Sequence, residues 1–265
     1  MESSFWIKLT LSFLVGGIWV SLSSIAAERF GSKVGGLIGG LPSTIVVTLL
    51  FIGLTQSAAR AAESAIIVPL VMGVNGIFVT VFIYLSRRGL ALALAGALLA
   101  WFGLALILMI LDVRVLWVSF LGWVALAASC FLVVEKGMKI VSHGRKVTRY
   151  TAVQLAGRAA LAGTVVAFAV LMSKVAGPLA GGIFATFPAV FLSNLIISYR
   201  NGGAGFASAV AKSLMVSGMI TVPIYALLVW YFYPRLGLGL GTLLAFLVAA
   251  GAGLLTLRVM KSRLA

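Results

Sequence analysis

Nine runs of about twenty apolar residues, joined mostly by connections of fewer than ten, set the terms on which this chain can fold. They cover residues 5–27, 34–56, 64–86, 89–111, 113–134, 151–172, 176–199, 207–233 and 236–258. Each is long enough to cross a bilayer as a helix, and together they leave no length for a soluble domain. Composition agrees: 62% of the residues are hydrophobic and 9% are charged, against about 25% charged in an ordinary globular domain. The expected fold class is an all-α polytopic membrane protein of nine transmembrane helices, with the lipid bilayer as its first partner. A nucleic-acid binder is excluded, although 20 Lys+Arg against 5 Asp+Glu (net +15) would otherwise point there.

In a membrane protein such an excess reads as topology, because Lys and Arg in short loops stay on the cytoplasmic side. Arg29, Lys33, Arg87, Arg88, Lys136, Lys139, Arg145, Lys146, Arg149, Arg200, Arg258, Lys261 and Arg263 fall on one side, making 13. Lys8, Arg60, Arg114, Lys174 and Arg235 fall on the other, making 5. The split places the N-terminus outside and the C-terminus in the cytoplasm of a prokaryotic inner membrane. The first run has a weak small-residue cleavage site near Ser24 to Ala27, but the repeat described next argues that it is retained.

The chain matches itself. GGLIGGLPSTIVVTLL (Gly35 to Leu50) lies over GGIFATFPAVFLSNLI (Gly181 to Ile196), pairing Pro42 with Pro188. Upstream, Thr10, Leu14 and Gly16 pair with Thr151, Leu155 and Gly157 if the second copy carries five extra residues. Downstream, GALLAW (Gly96 to Trp101) pairs with GTLLAF (Gly241 to Phe246), and Gly73 can be laid on Gly218. The organisation expected is an N-terminal four-span repeat (1–112), a linker helix (113–134), a basic cytoplasmic loop (135–150) and a C-terminal four-span repeat (151–265). A fifth, unpaired crossing starts the second copy on the opposite face, so the two repeats are inverted. Inverted repeats meeting at a midplane site are a recurring transporter architecture.

The paired prolines are the best candidates for such a site. Each lacks an N–H, and its ring crowds the carbonyl four residues back, Ile38 or Phe184. Broken helix at membrane depth is tolerated where it faces protein or a cavity. Gly40, Pro42, Ser43, Thr44 and Thr48 in the second run, and Thr186, Pro188, Ser193 and Asn194 in the seventh, are therefore candidate substrate-binding residues. Asn75 in the third run and Ser217 and Thr221 in the eighth are candidate polar partners. Hydroxyls in membrane helices more often bond back to their own carbonyls, whereas a buried Asn is costly and should find a partner across the bundle. The runs Gly35-Gly36-Gly39-Gly40 and Gly237-Gly239-Gly241 read as close helix contact, since no phosphate-loop lysine follows them.

Ionisable groups within spans are few. Arg158 lies about seven residues into its span, roughly 10 Å deep, where it can snorkel toward the basic loop. Together with helix N-termini it would suit an anion. Lys212 can likewise snorkel, and Glu63 should pair with Arg60 at the surface. No carboxylate lies deep in a span. The single Cys130 and single His143, with no carboxylate pair, give no metal, cofactor or catalytic cluster, so an enzyme is not expected.

The segment from Ala176 to Gly237 resembles the small GlpM-type four-span membrane proteins, a family of uncharacterised biochemical role. Phe187-Pro188, Ser213, Pro223 and Trp230-Tyr231-Phe232 carry the likeness. The first copy follows from Gly35 to Thr44 with Leu41-Pro42 in place of Phe-Pro, and it lacks a counterpart of Pro223. The resemblance implies two such units fused through a linker helix and names no substrate. The function expected is a membrane transporter or facilitator of a small molecule or ion at a midplane site; the alternative is a non-transporting scaffold or assembly subunit. Homodimerisation is left open.

Overall fold

The computed structural model describes residues 2–29, 41–138, 140 and 150–264, and every regular element among them is helical. In order they are α1 (Glu2–Arg29), α2 (Ser43–Thr55), α3 (Ala58–Ile66), α4 (Val68–Ser86), α5 (Leu90–Leu111), α6 (Leu116–Leu132) with a π turn (Val133–Gly137), α7 (Ala152–Val175), α8 (Gly177–Ala185) and α9 (Ala189–Leu264). Six helical stretches are long and apolar enough to cross a membrane. Large apolar side chains such as Leu99, Ile110 and Trp117 stand outward and exposed, a pattern suited to a lipid surround and costly in water. The chain thus has the helices of a multi-pass membrane protein.

The differences from the nine expected runs have local causes. The second run is represented by α2, because residues 30–40 lie outside the described residues. The third is divided at Ile67, where α3 ends and Pro69 opens α4. The last three runs join into one stretch because the chain folds back at single glycines instead of loops. Gly203 (φ 72°) and Gly237 (φ 74°) take left-handed φ values inside α9, which only glycine adopts without strain. Tyr233 Oη and Thr242 Oγ1 lie 2.8 Å apart, whereas nine residues of straight helix would separate them by about 13.5 Å. Tyr199 and Ser208, on either side of Gly203, both reach Ser86. Gly237 is therefore a turn, not the close helix contact expected for it; in that run Gly241 is the residue packed closely, against the Tyr233 ring.

At the centre lies α4, 72% buried over its apolar window against 17% for the window beginning at Leu116. It packs against α5, α6 and the 204–236 portion of α9.

A second interface relates the two halves. A Cβ added at Gly17 would stand 2.9 Å from the Ala159 carbonyl oxygen, and one at Gly163 would stand 2.5 Å from the Phe13 carbonyl oxygen. Gly163 follows Gly17, and Ala159 follows Phe13, by the same 146 residues. The contact is reciprocal, as across a two-fold axis, and it pairs 13 with 163 and 17 with 159, so α1 and α7 run antiparallel. This gap-free spacing replaces the five-residue shift expected upstream, which paired Gly16 with Gly157; Gly157 meets nothing. It also replaces the pairing of Gly73 with Gly218, since Met72 is the residue 146 positions before Gly218 and its methyl group faces it.

Backbones this close leave no room for a side chain. Gly17→Val and Gly163→Val should each destabilise the protein by about 1–3 kcal/mol through overpacking, whereas Gly103→Val, at an open position, should leave it unchanged. Thermal unfolding in detergent reads the difference.

Candidate functional site

Both proline interruptions are built alike. Ser43 N–H donates to the Leu41 carbonyl and Ala189 N–H to the Phe187 carbonyl, each at 2.7 Å. Val46 N–H then donates to Pro42 O at 3.1 Å and Leu192 N–H to Pro188 O at 2.7 Å. Every pair is separated by 146 residues. Pro42 has φ −74° and ψ 60°, the geometry of an inverse γ-turn. Ahead of Pro188, α8 finishes with i to i+3 bonds, Thr186 N–H to Ile183 O and Phe187 N–H to Phe184 O. The Phe184 carbonyl, which loses its partner at Pro188, is satisfied in that way.

Helices α2 and α9 thus begin at the two prolines. Neither Thr44 and Ile45 nor Val190 and Phe191 donate a backbone N–H to any described acceptor, which is the ordinary state of a first helical turn. No side chain caps α2.

Between the two starts lies a cavity of about 50 Å³, room for roughly three to five waters. Its wall includes Leu41 and Phe187, Pro42 and Pro188, Thr44 and Val190, Ile45 and Phe191, and Met72 and Gly218. Each is a pair 146 residues apart. The cavity therefore sits on the axis that relates the repeats.

Ser43, Thr44, Asn75, Thr186 and both prolines line it. Gly40 lies outside the described residues, as do Gly35, Gly36, Gly39 and His143. Asn75 is 3% exposed and bridges three elements. Its Nδ2 donates to the Thr186 carbonyl at 2.9 Å, and its Oδ1 accepts from Trp101 Nε1 at 2.7 Å. The broken end of α8 is thereby tied to α4 and α5. The Trp101 ring packs on Phe187, 5.0 Å between centroids.

The remaining candidates do not line the cavity. Thr48, Ser193, Ser217 and Thr221 hydrogen-bond to carbonyls three or four residues earlier in their own helices. Their hydroxyls satisfy themselves, as helix geometry favours. Asn194 joins a second cluster. Its Oδ1 accepts from Arg158 Nη1 at 2.6 Å and from Tyr150 Oη at 3.2 Å. Arg158 Nε donates to Ser24 Oγ at 3.2 Å, and the guanidinium lies over the Tyr150 ring, 5.0 Å from its centroid.

Arg158 is 6% exposed, and its guanidinium is held between Asn194, Ser24 and the ring of Tyr150 at the end of the basic loop. The amide and hydroxyl give its N–H groups partners that a lipid-facing path lacks. Lys212 instead pairs with Glu135 at the π turn, and Arg60 pairs with Glu63 at 3.2 Å as expected. Trp101, Ser24 and Tyr150 were not marked by the sequence. Trp101 had one usable signal, its place at the end of the repeated GALLAW segment.

The architecture is that of a helical membrane protein built from a duplicated unit. The sequence profile of DUF3147, described as a protein of unknown function, matches residues 9–115 and again 155–261. The chain belongs to the DUF3147 family and carries its unit twice. The matches begin 146 residues apart, the spacing of Pro42 and Pro188. The likeness to GlpM-type proteins remains a resemblance in the residues quoted above. No curated protein and no solved structure matches the chain.

Trp101→Phe keeps the ring packing and removes the donor to Asn75. It should cost about 1–3 kcal/mol by leaving Oδ1 unsatisfied. In a double-mutant cycle with Asn75→Leu the two losses should be strongly non-additive; additive losses would show that the bond contributes nothing.

Proposed function

We propose that this protein is a membrane transporter or facilitator that moves a small solute through the cavity between Pro42 and Pro188. The observation that carries the reading is the position of that cavity on the axis relating the repeats. A site on such an axis presents equivalent walls to both sides, which is what alternating exposure by rocking one repeat against the other requires. The wall holds backbone freed from helix geometry at two proline breaks, a use of irregular backbone tolerated at membrane depth only where protein or a cavity faces it.

In this reading the chain crosses the membrane nine times, with α6 as the odd crossing that inverts the second repeat. The antiparallel packing of α1 and α7 supports inversion. The N-terminus lies outside and the C-terminus in the cytoplasm of a prokaryotic inner membrane, as the 13 to 5 division of basic residues favours. Asn75 and Thr186 shape the polar part of the cavity, and no chemistry is performed on the solute.

The test is flux into proteoliposomes across a panel of small neutral, cationic and anionic solutes. Pro42→Ala and Pro188→Ala restore an N–H and straighten the breaks; Thr44→Val removes a hydroxyl from the wall. Flux should fall about tenfold or more in each, the scale of one lost interaction near 1.4 kcal/mol, with normal insertion and size-exclusion behaviour. Unchanged flux in all three overturns the site. Absence of protein-dependent flux for every solute, with co-purification of a partner, would make the protein a scaffold.

A further inference from the structure

We infer that the species bound on this route is a small inorganic anion, held by the guanidinium of Arg158 one helical turn from the cavity. The inference rests on the transport reading for the route and on separate observations for the charge.

Arg158 carries a charge that a protein interior does not remove. It is 6% exposed, and the described groups that accept its hydrogen bonds, Ser24 and Asn194, are both neutral. Two of its five N–H donors are used in this way. The acids in the described ion pairs are engaged elsewhere: Glu63 with Arg60, Asp112 with Arg114 and Glu135 with Lys212.

The cluster adjoins the cavity. Asn194 lies four and three residues beyond Val190 and Phe191, both of which line the wall, and that spacing puts all three on one face of α9. Asn194, and with it the Arg158 guanidinium, thus stands one turn of α9 beyond the cavity wall.

Comparison of the two repeats shows that the fold does not need this charge. The residues 146 positions from Arg158, Asn194 and Ser24 are Ser12, Thr48 and Val170. Ser12 bonds to the Leu9 carbonyl and Thr48 to the Thr44 carbonyl, and Val170 is buried. One half closes the position with two hydroxyls and a valine, while the other places a cation there. A cationic solute would be repelled at that mouth, and a neutral one would have no use for the charge.

Size follows from the cavity. A cavity of about 50 Å³ suits a halide or a triatomic to tetratomic oxyanion better than a sugar acid. The freed N–H groups at the starts of α2 and α9 add positive potential on the same path.

The experiment measures thermal stabilisation of the purified protein by sodium nitrate and sodium chloride, with sodium gluconate at equal ionic strength as the bulky-anion control. A ligand that binds the folded state raises the midpoint with concentration. Arg158→Gln removes the charge. Asn194→Asp keeps both the guanidinium and the local volume and supplies a fixed counter-charge. Arg158→Lys keeps a cation. Nitrate and chloride should stabilise the wild type and Arg158→Lys, and the apparent affinity should drop about tenfold or more in Arg158→Gln and Asn194→Asp.

Stabilisation no greater than by gluconate in the wild type, or unchanged in both neutralised variants, overturns the inference. Flux of the same salts separates the two readings. Anion binding that depends on Arg158 without protein-dependent flux keeps the anion site and removes transport. Flux of a neutral or cationic solute that Arg158→Gln leaves intact keeps transport and removes the anion.

Discussion

Backbone that cannot bond to lipid has to be satisfied within the protein, and this requirement is hardest to meet where a proline interrupts a buried helix. The chain meets it twice in one way. A tight turn returns the N–H after each proline to the carbonyl before it, and a new helix begins at once. Asn75 then accepts the remaining demand at the broken end of α8 by donating to the Thr186 carbonyl, while Trp101 occupies its other face. The cavity, the wall of paired residues and the central position of α4 all follow from placing two such breaks opposite one another.

Duplication supplied the symmetry, and small residues made it tight. Gly17 and Gly163 bring α1 and α7 to backbone contact by the same pair of interactions exchanged between halves. Such reciprocity fixes where the axis runs, and the same 146-residue spacing recurs at the cavity wall and in the family match. Against this regular background the Arg158 cluster stands out, because only one half has it. The symmetric scaffold gives the cavity two equivalent walls, and the departure from symmetry places one buried cation on one side of it.

The apolar runs, the helical class and the duplicated unit could be read directly, since each depends on local composition or on matching one stretch with another. The breaks at Pro42 and Pro188 could also be read, because a missing N–H acts within its own helix. The asparagines were correctly marked as groups needing partners, but the partners themselves, Trp101 and Arg158, come from other elements. Thr48, Ser193, Ser217 and Thr221 carried the same polar signal as Thr44 and Thr186, yet they stay off the cavity wall, although Thr186 too bonds to carbonyls of its own helix. Facing direction separated the two groups, and that depends on how helices are rotated against each other. The fold-backs at Gly203 and Gly237 were missed for a related reason: a glycine in an apolar run serves equally well as a close contact or as a left-handed turn.

The sequence by itself determined that this is a helical membrane protein, that its unit occurs twice and that each copy is interrupted at a proline. Those properties arise from hydropathy and covalent structure within single segments. Only the tertiary structure decided that the two interruptions face each other across one cavity, that Asn75 ties the break to Trp101, and that Arg158 meets Asn194 and Ser24 beneath Tyr150. The reason is physical: bilayer crossing is a property of one helix at a time, while a cavity and a buried charge exist only in the packing of several, where closest approach between backbones sets what each side chain can reach.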